Sequence, residues 1–108
     1  MRRVFIPNRG EIAVRIVNAC HKLGLQAVVG ASEPDMKGMA ARVADRVVCI
    51  GPGPASESYL RADVVVHAAL STRCDAIHPG YGFLSESPSL SDQAREHGLT
   101  FVGPPTHA

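Results

Sequence analysis

Five short, almost continuously apolar runs recur along the chain: Val4-Phe5-Ile6, Ala27-Val28-Val29-Gly30 within residues 26–31, Val47-Val48-Cys49-Ile50, Asp75-Ala76-Ile77 and Thr100-Phe101-Val102. None shows the strict apolar–polar alternation of a strand with one wet face, so each reads as a strand buried on both sides. The segments between them carry helical periodicity instead. Strand and helix alternating at this short spacing build a parallel sheet with helices on both faces. Right-handed crossovers make such a sheet doubly wound. The expected fold is α/β, a Rossmann-like doubly wound parallel sheet of about five strands.

The first helix begins near Glu11, with Ile12, Ile16, Cys20 and Leu23 on one stripe and Arg15, Asn18 and Lys22 on the other side. Asn8 is placed as its cap, with Glu11 completing an approximate capping box and Gly24 ending it. A short helix is expected over residues 35–44, with methionines and alanines turned inward. Gly51-Pro52-Gly53-Pro54-Ala55-Ser56 is a rigid loop that no strand can continue through. Residues 59–71 read as mostly helical, burying Val64, Val65, Ala68 and Ala69. Ser87 as N-cap, Pro88 at the first helical position and Gly98 past the end frame a helix over residues 88–97.

With 108 residues the chain suits one domain with one modest core, and without tryptophan that core must be aliphatic. Eleven basic residues against 10 acidic ones leave no clustered excess of the kind a nucleic-acid surface needs. No apolar run approaches membrane-spanning length, and Arg2-Arg3 is followed by too few apolar residues for a signal peptide. Cys20, Cys49 and Cys74 are odd in number, lack metal-ligand spacing and sit in apolar surroundings. They read as buried reduced thiols, and the expected compartment is the cytoplasm.

One connection concentrates special residues: Ala76-Ile77-His78-Pro79-Gly80-Tyr81-Gly82-Phe83-Leu84-Ser85-Glu86-Ser87. Pro79 biases His78 toward an extended backbone, and Gly80 and Gly82 allow positive φ on both sides of Tyr81. A strand that runs through such a loop into a helix has the anatomy of a ligand loop at the carboxyl edge of a sheet. The competing reading is a tight connection whose Tyr81 and Phe83 cap the core. Of the five histidines only His78 stands in such a loop, and there it reads more readily as loop support than as a catalyst. Arg9 puts a cation where a helix dipole prefers an anion; it either holds an acidic ligand or pairs with Glu11 or a loop carboxylate. The first turn, Pro7-Asn8-Arg9-Gly10-Glu11-Ile12, has one glycine, so the dinucleotide fingerprint is missing although Glu33 follows the second strand. No catalytic triad or metal set can be assembled from the spacing.

Asn8-Arg9-Gly10-Glu11-Ile12-Ala13-Val14-Arg15-Ile16, Ala44-Asp45, Cys49-Ile50-Gly51-Pro52, Ser58-Tyr59-Leu60, residues 76–86 and Phe101-Val102-Gly103-Pro104 resemble, in order, the N-terminal domain of biotin carboxylase. The run from Ile77 to Glu86 is the most specific of these motifs. The resemblance implies a pre-ATP-grasp domain, residues 1–108, that packs against an ATP-grasp module in acetyl-CoA, propionyl-CoA, pyruvate and urea carboxylases. In that family ATP, magnesium and bicarbonate serve to carboxylate biotin borne on a carrier protein. The resemblance implies that Tyr81 and Gly82 lie beside biotin, that His78, Gly80 and Glu86 support the loop, and that Arg15 belongs to a homodimer surface. Pro7, Ala40, Asn18 and Lys22 depart from the usual pattern, the last two on the helix that carries the dimer surface.

In the family the phosphate-binding lysines, the magnesium-binding glutamates and the base and arginine at biotin all lie beyond the region resembled. The 108 residues are therefore expected to bind no cofactor and to turn nothing over alone, the ATP-grasp and C-terminal domains being absent from them. A second reading is a stand-alone binding or regulatory module that docks on a carboxylase or self-associates. A third, a nucleotide-binding domain, predicts NAD or ATP binding, which the missing phosphate loop argues against.

Overall fold

The apolar runs form five strands in the computed structural model, which describes residues 1–85 and 87–102. The elements run β1 (Arg3–Ile6), α1 (Gly10–Lys22), β2 (Gln26–Ser32), α2 (Met39–Val43), β3 (Arg46–Gly51), α3 (Ala62–Ser71), β4 (Ala76–Ile77), α4 (Pro88–Glu96) and β5 (Thr100–Phe101). All pairings are parallel, in the order β3-β2-β1-β4-β5. The chain winds outward from β1 to β3, then crosses back to place β4 on the other side of β1. The loops after β1 and β4 therefore part company at the carboxyl edge, where doubly wound sheets form a crevice.

Alternation along the strands divides the core in two. Val4, Ile6, Ala27, Val29, Ala31 and Ala76 pack with α1 and with Ala40 of α2, while Phe5, Val28, Ile50 and Ile77 pack with α3 and α4. Gly30 makes room for the central aromatic: a Cβ there would lie 2.5 Å from the Phe5 ring. Ser87 caps α4 by accepting the Leu90 N–H, and Gly98 adopts φ +76° just past its end, as the sequence predicts. Among the described residues no helix is long and apolar enough to cross a membrane.

Four expectations are corrected. The buried stripe of α1 is Ala13, Ile16, Val17 and Cys20; Ile12 is only half-buried, and Leu23 sits on the non-helical C-cap, exposed. Residues 33–43 do not form one helix, because Gly38 is extended between a 3-10 turn (Glu33–Lys37) and α2. Helix α3 starts at Ala62 and buries Val65, Val66 and Ala69; Tyr59 lies before it, fully buried. Cys20 and Cys74 are buried, but Cys49 is exposed, on a strand that forms the sheet's edge. Glu86, Gly103, Pro104, Pro105 and His107 lie outside the described residues.

Candidate functional site

The loop after β4 is anchored at its root by backbone. The His78 N–H donates to the Phe5 carbonyl at 2.9 Å, carrying the β1 pairing one residue past the strand. The Gly80 N–H then donates to His78 Nδ1 at 3.2 Å, which requires that nitrogen to be unprotonated. Burial lowers the His78 pKa from its ordinary value and so favours the same neutral ring.

Gly80, at φ +73°, is where the loop turns down into the crevice. A Cβ there would come within 2.9 Å of Ile12 and 3.0 Å of both Asn8 and Ile16. Gly82 has the same φ, +73°, yet nothing within 4 Å of where its Cβ would be. Between them the chain rises into solvent, leaving Tyr81 74% exposed. The Ser85 N–H donates to the Gly82 carbonyl at 2.9 Å and closes the turn. Tyr81 and His78 also line a groove of about 250 Å³ with Ile12, Arg15, Ile16 and Ala19 of α1. Arg15 itself is exposed.

Asn8 does not cap α1. Its Nδ2 donates to the carbonyls of Pro79 at 2.7 Å and Tyr81 at 3.0 Å, while Oδ1 accepts the Arg9 N–H at 2.8 Å. The helix N-cap is Arg9, without a side-chain cap bond. Two loop carbonyls turned into the crevice compete more effectively for this amide than the helix end does, since buried carbonyls need donors.

A second cluster lies beside the loop. Phe83 holds φ +45°, a costly conformation for a bulky residue, and its ring stacks on Tyr59 with centroids 4.6 Å apart. The Arg9 guanidinium stands 5.7 Å from both ring centroids. It also reaches Asp35 at 3.7 Å, so a loop carboxylate satisfies this cation. Asp35 accepts further hydrogen bonds from Ser32 Oγ at 2.5 Å and Tyr59 Oη at 2.7 Å. Burial opposes ionisation of Asp35, but the Ser32 and Tyr59 bonds and the Arg9 charge together hold its pKa below the ordinary value. Tyr59 Oη also accepts the buried Ser32 N–H at 2.9 Å, and burial raises the tyrosine's pKa. Sequence reasoning missed Ser32, Asp35 and Tyr59. The available signal was Arg9, a cation at a helix start that needs an acid from a neighbouring carboxyl-edge loop.

With the glycine-bracketed loop standing at the carboxyl edge, the similarities to known proteins fall into place. The biotin carboxylase N-terminal domain family matches over residues 1–108. The chain belongs to that family. The mitochondrial propionyl-CoA carboxylase alpha chain of Mus musculus is 43% identical over 106 residues, covering 98% of this chain and 15% of that one. Biotin carboxylase of Pseudomonas aeruginosa is 48% identical over 104 residues, 96% of this chain and 23% of its own length. The biotin carboxylase domain of Hydrogenobacter thermophilus 2-oxoglutarate carboxylase superposes with a TM-score of 0.91 at 40% identity, covering 98% of this chain and 23% of that one. That domain was solved as a dimer in complex with MgADP, ADP and bicarbonate. The biotin carboxylase N-terminal domain thus spans less than a quarter of these relatives.

Proposed function

We propose that this biotin carboxylase N-terminal domain supplies one wall of the site at which a carboxylase transfers carboxylate to carrier-bound biotin, with Tyr81 and Gly82 facing the biotin ring. The observation that carries this is the exposure of Tyr81 at the carboxyl edge, beside a Gly82 that has no neighbour where its Cβ would be. A bicyclic ureido ring has an apolar face and polar edges. An exposed aromatic beside an uncrowded glycine backbone offers the complement of both.

ATP and magnesium belong, on this reading, to an ATP-grasp module that packs against the domain. Activating bicarbonate with ATP develops charge that needs cations and magnesium held together. Among the described residues no three His, Cys, Asp or Glu side chains form a metal site. What this chain contributes is position: a loop whose backbone is hydrogen-bonded to β1 and to Asn8 and packed at Gly80 against α1, presenting its tip to the bound ring. The exposed face of α1 around Arg15 is the surface assigned to a second copy of the domain. The carrier protein that delivers biotin approaches the side on which Tyr81 stands.

The test is bicarbonate-dependent ATP hydrolysis with free biotin, using the 108 residues alone and mixed with an ATP-grasp fragment. The expected result is no turnover alone and recovered turnover in the mixture. Turnover by the isolated chain would overturn the assignment of the chemistry to the other module.

A further inference from the structure

We infer that Asn8 is the positioning residue of the loop, fixing where Tyr81 and Gly82 stand through two hydrogen bonds from a single side-chain amide. The inference deepens the biotin-facing reading and rests on it for its functional consequence, but its structural half stands independently. Asn8 is 2% exposed, a polar side chain in the crevice between the departing β1 and β4 chains. That crevice is where a sheet of this topology ordinarily takes its ligand. Here protein fills it. Both Nδ2 protons are spent, on Pro79 and Tyr81, the residues flanking Gly80. The bond from the Arg9 N–H to Oδ1 fixes which way the amide faces.

The geometry explains why the loop tip can be exposed and still be held. Gly80 meets the Asn8 amide closely, so the backbone descends to touch it and then climbs away to Tyr81. Tyr81 is the last residue with its carbonyl tied to the crevice and the first with its ring in solvent. Aspartate at position 8 is nearly isosteric but carries no donor, and it sets a carboxylate against two carbonyl oxygens. It leaves the Arg9 N–H satisfied while removing both loop bonds. A carbonyl deprived of its buried partner carries its full desolvation cost, so the seated loop should open at least tenfold more often.

Backbone NMR of N8D and N8A provides the test. The expected result is faster ps–ns motion at Tyr81 and Gly82, with amide exchange at Gly80 and Ser85 about tenfold or more faster. The amides of Asp45 and Cys74, bonded to the carbonyls of Ala27 and Ala69 away from the loop, should keep wild-type protection. Unchanged loop dynamics in both variants would overturn the inference. Should the variants not fold, the wild-type side-chain amide of Asn8 decides. Slow exchange of both protons, with through-bond couplings to the Pro79 and Tyr81 carbonyl carbons, supports the role, and exchange at the solvent rate refutes it. Adding free biotin to the domain mixed with an ATP-grasp fragment separates the two readings: a loosened loop in N8D together with no biotin response at Tyr81 in a wild-type mixture that turns over keeps Asn8 as positioner and removes biotin as the ligand of the loop.

Discussion

Alanine at Gly80 and at Gly82 separates two costs that usually arrive together. Both residues sit at φ +73°, so each substitution pays the same left-handed backbone penalty, about 1–2 kcal/mol. Alanine also narrows the unfolded ensemble, which offsets about 0.4–1 kcal/mol of that. Gly82→Ala meets nothing within 4 Å and should therefore destabilise by only about 0.5–1 kcal/mol. At Gly80 the new methyl lies 2.9 Å from Ile12, a helix side chain, and 3.0 Å from Ile16 and from the Asn8 amide. Crowding of this kind adds about 1–3 kcal/mol, bringing Gly80→Ala to about 1.5–4 kcal/mol. Urea denaturation of both variants should show different midpoints at an unchanged slope. Equal losses, within about 0.5 kcal/mol, would show that Gly80 is not seated against α1 and would refute the packing account of the loop.

Three further outcomes follow from the same contacts. Tyr59→Phe removes the hydroxyl that accepts the buried Ser32 N–H and donates to Asp35, and should cost about 1–3 kcal/mol in urea midpoint terms. The lowered pKa of His78 means the unfolded chain takes up a proton first as pH falls. Stability is thus full above the ordinary histidine value of about 6.5 and declines as pH falls from there through the lowered folded value; His78→Gln should flatten that part of the curve. Of the three free thiols, Cys49 should react with a disulfide reagent in the native state. Burial raises the pKa of Cys20 and Cys74, so they should react only on unfolding.

What the sequence disclosed and what it withheld divide by the range of the interaction. The ends of α4 were legible because Ser87, Pro88 and Gly98 act on their own neighbours. The strands were legible because burial on both faces leaves an unbroken apolar run. Asn8 was misplaced because its partners, Pro79 and Tyr81, lie more than 70 residues away, and locally it looks like a cap. Tyr59 was absorbed into a helix for the same reason: its hydroxyl bonds reach back to Ser32 and Asp35. Cys49 was misjudged because an apolar run does not say which strand is the edge. Leu23 continued a helical period that the chain abandons at the C-cap. The loop itself was visible from its glycines and proline, but the difference between Gly80, packed, and Gly82, open, exists only in three dimensions.

The central claim, that Tyr81 and Gly82 face biotin, is tested most directly by a graft. This chain would replace the corresponding domain of Pseudomonas aeruginosa biotin carboxylase, to which it is 48% identical over 104 residues. In that chimera Tyr81→Ala should raise the KM for free biotin about tenfold, equivalent to about 1.4 kcal/mol of lost contact, while the KM for ATP stays unchanged. An unchanged KM for biotin in an active chimera, or a KM for ATP that rises in its place, would contradict the account.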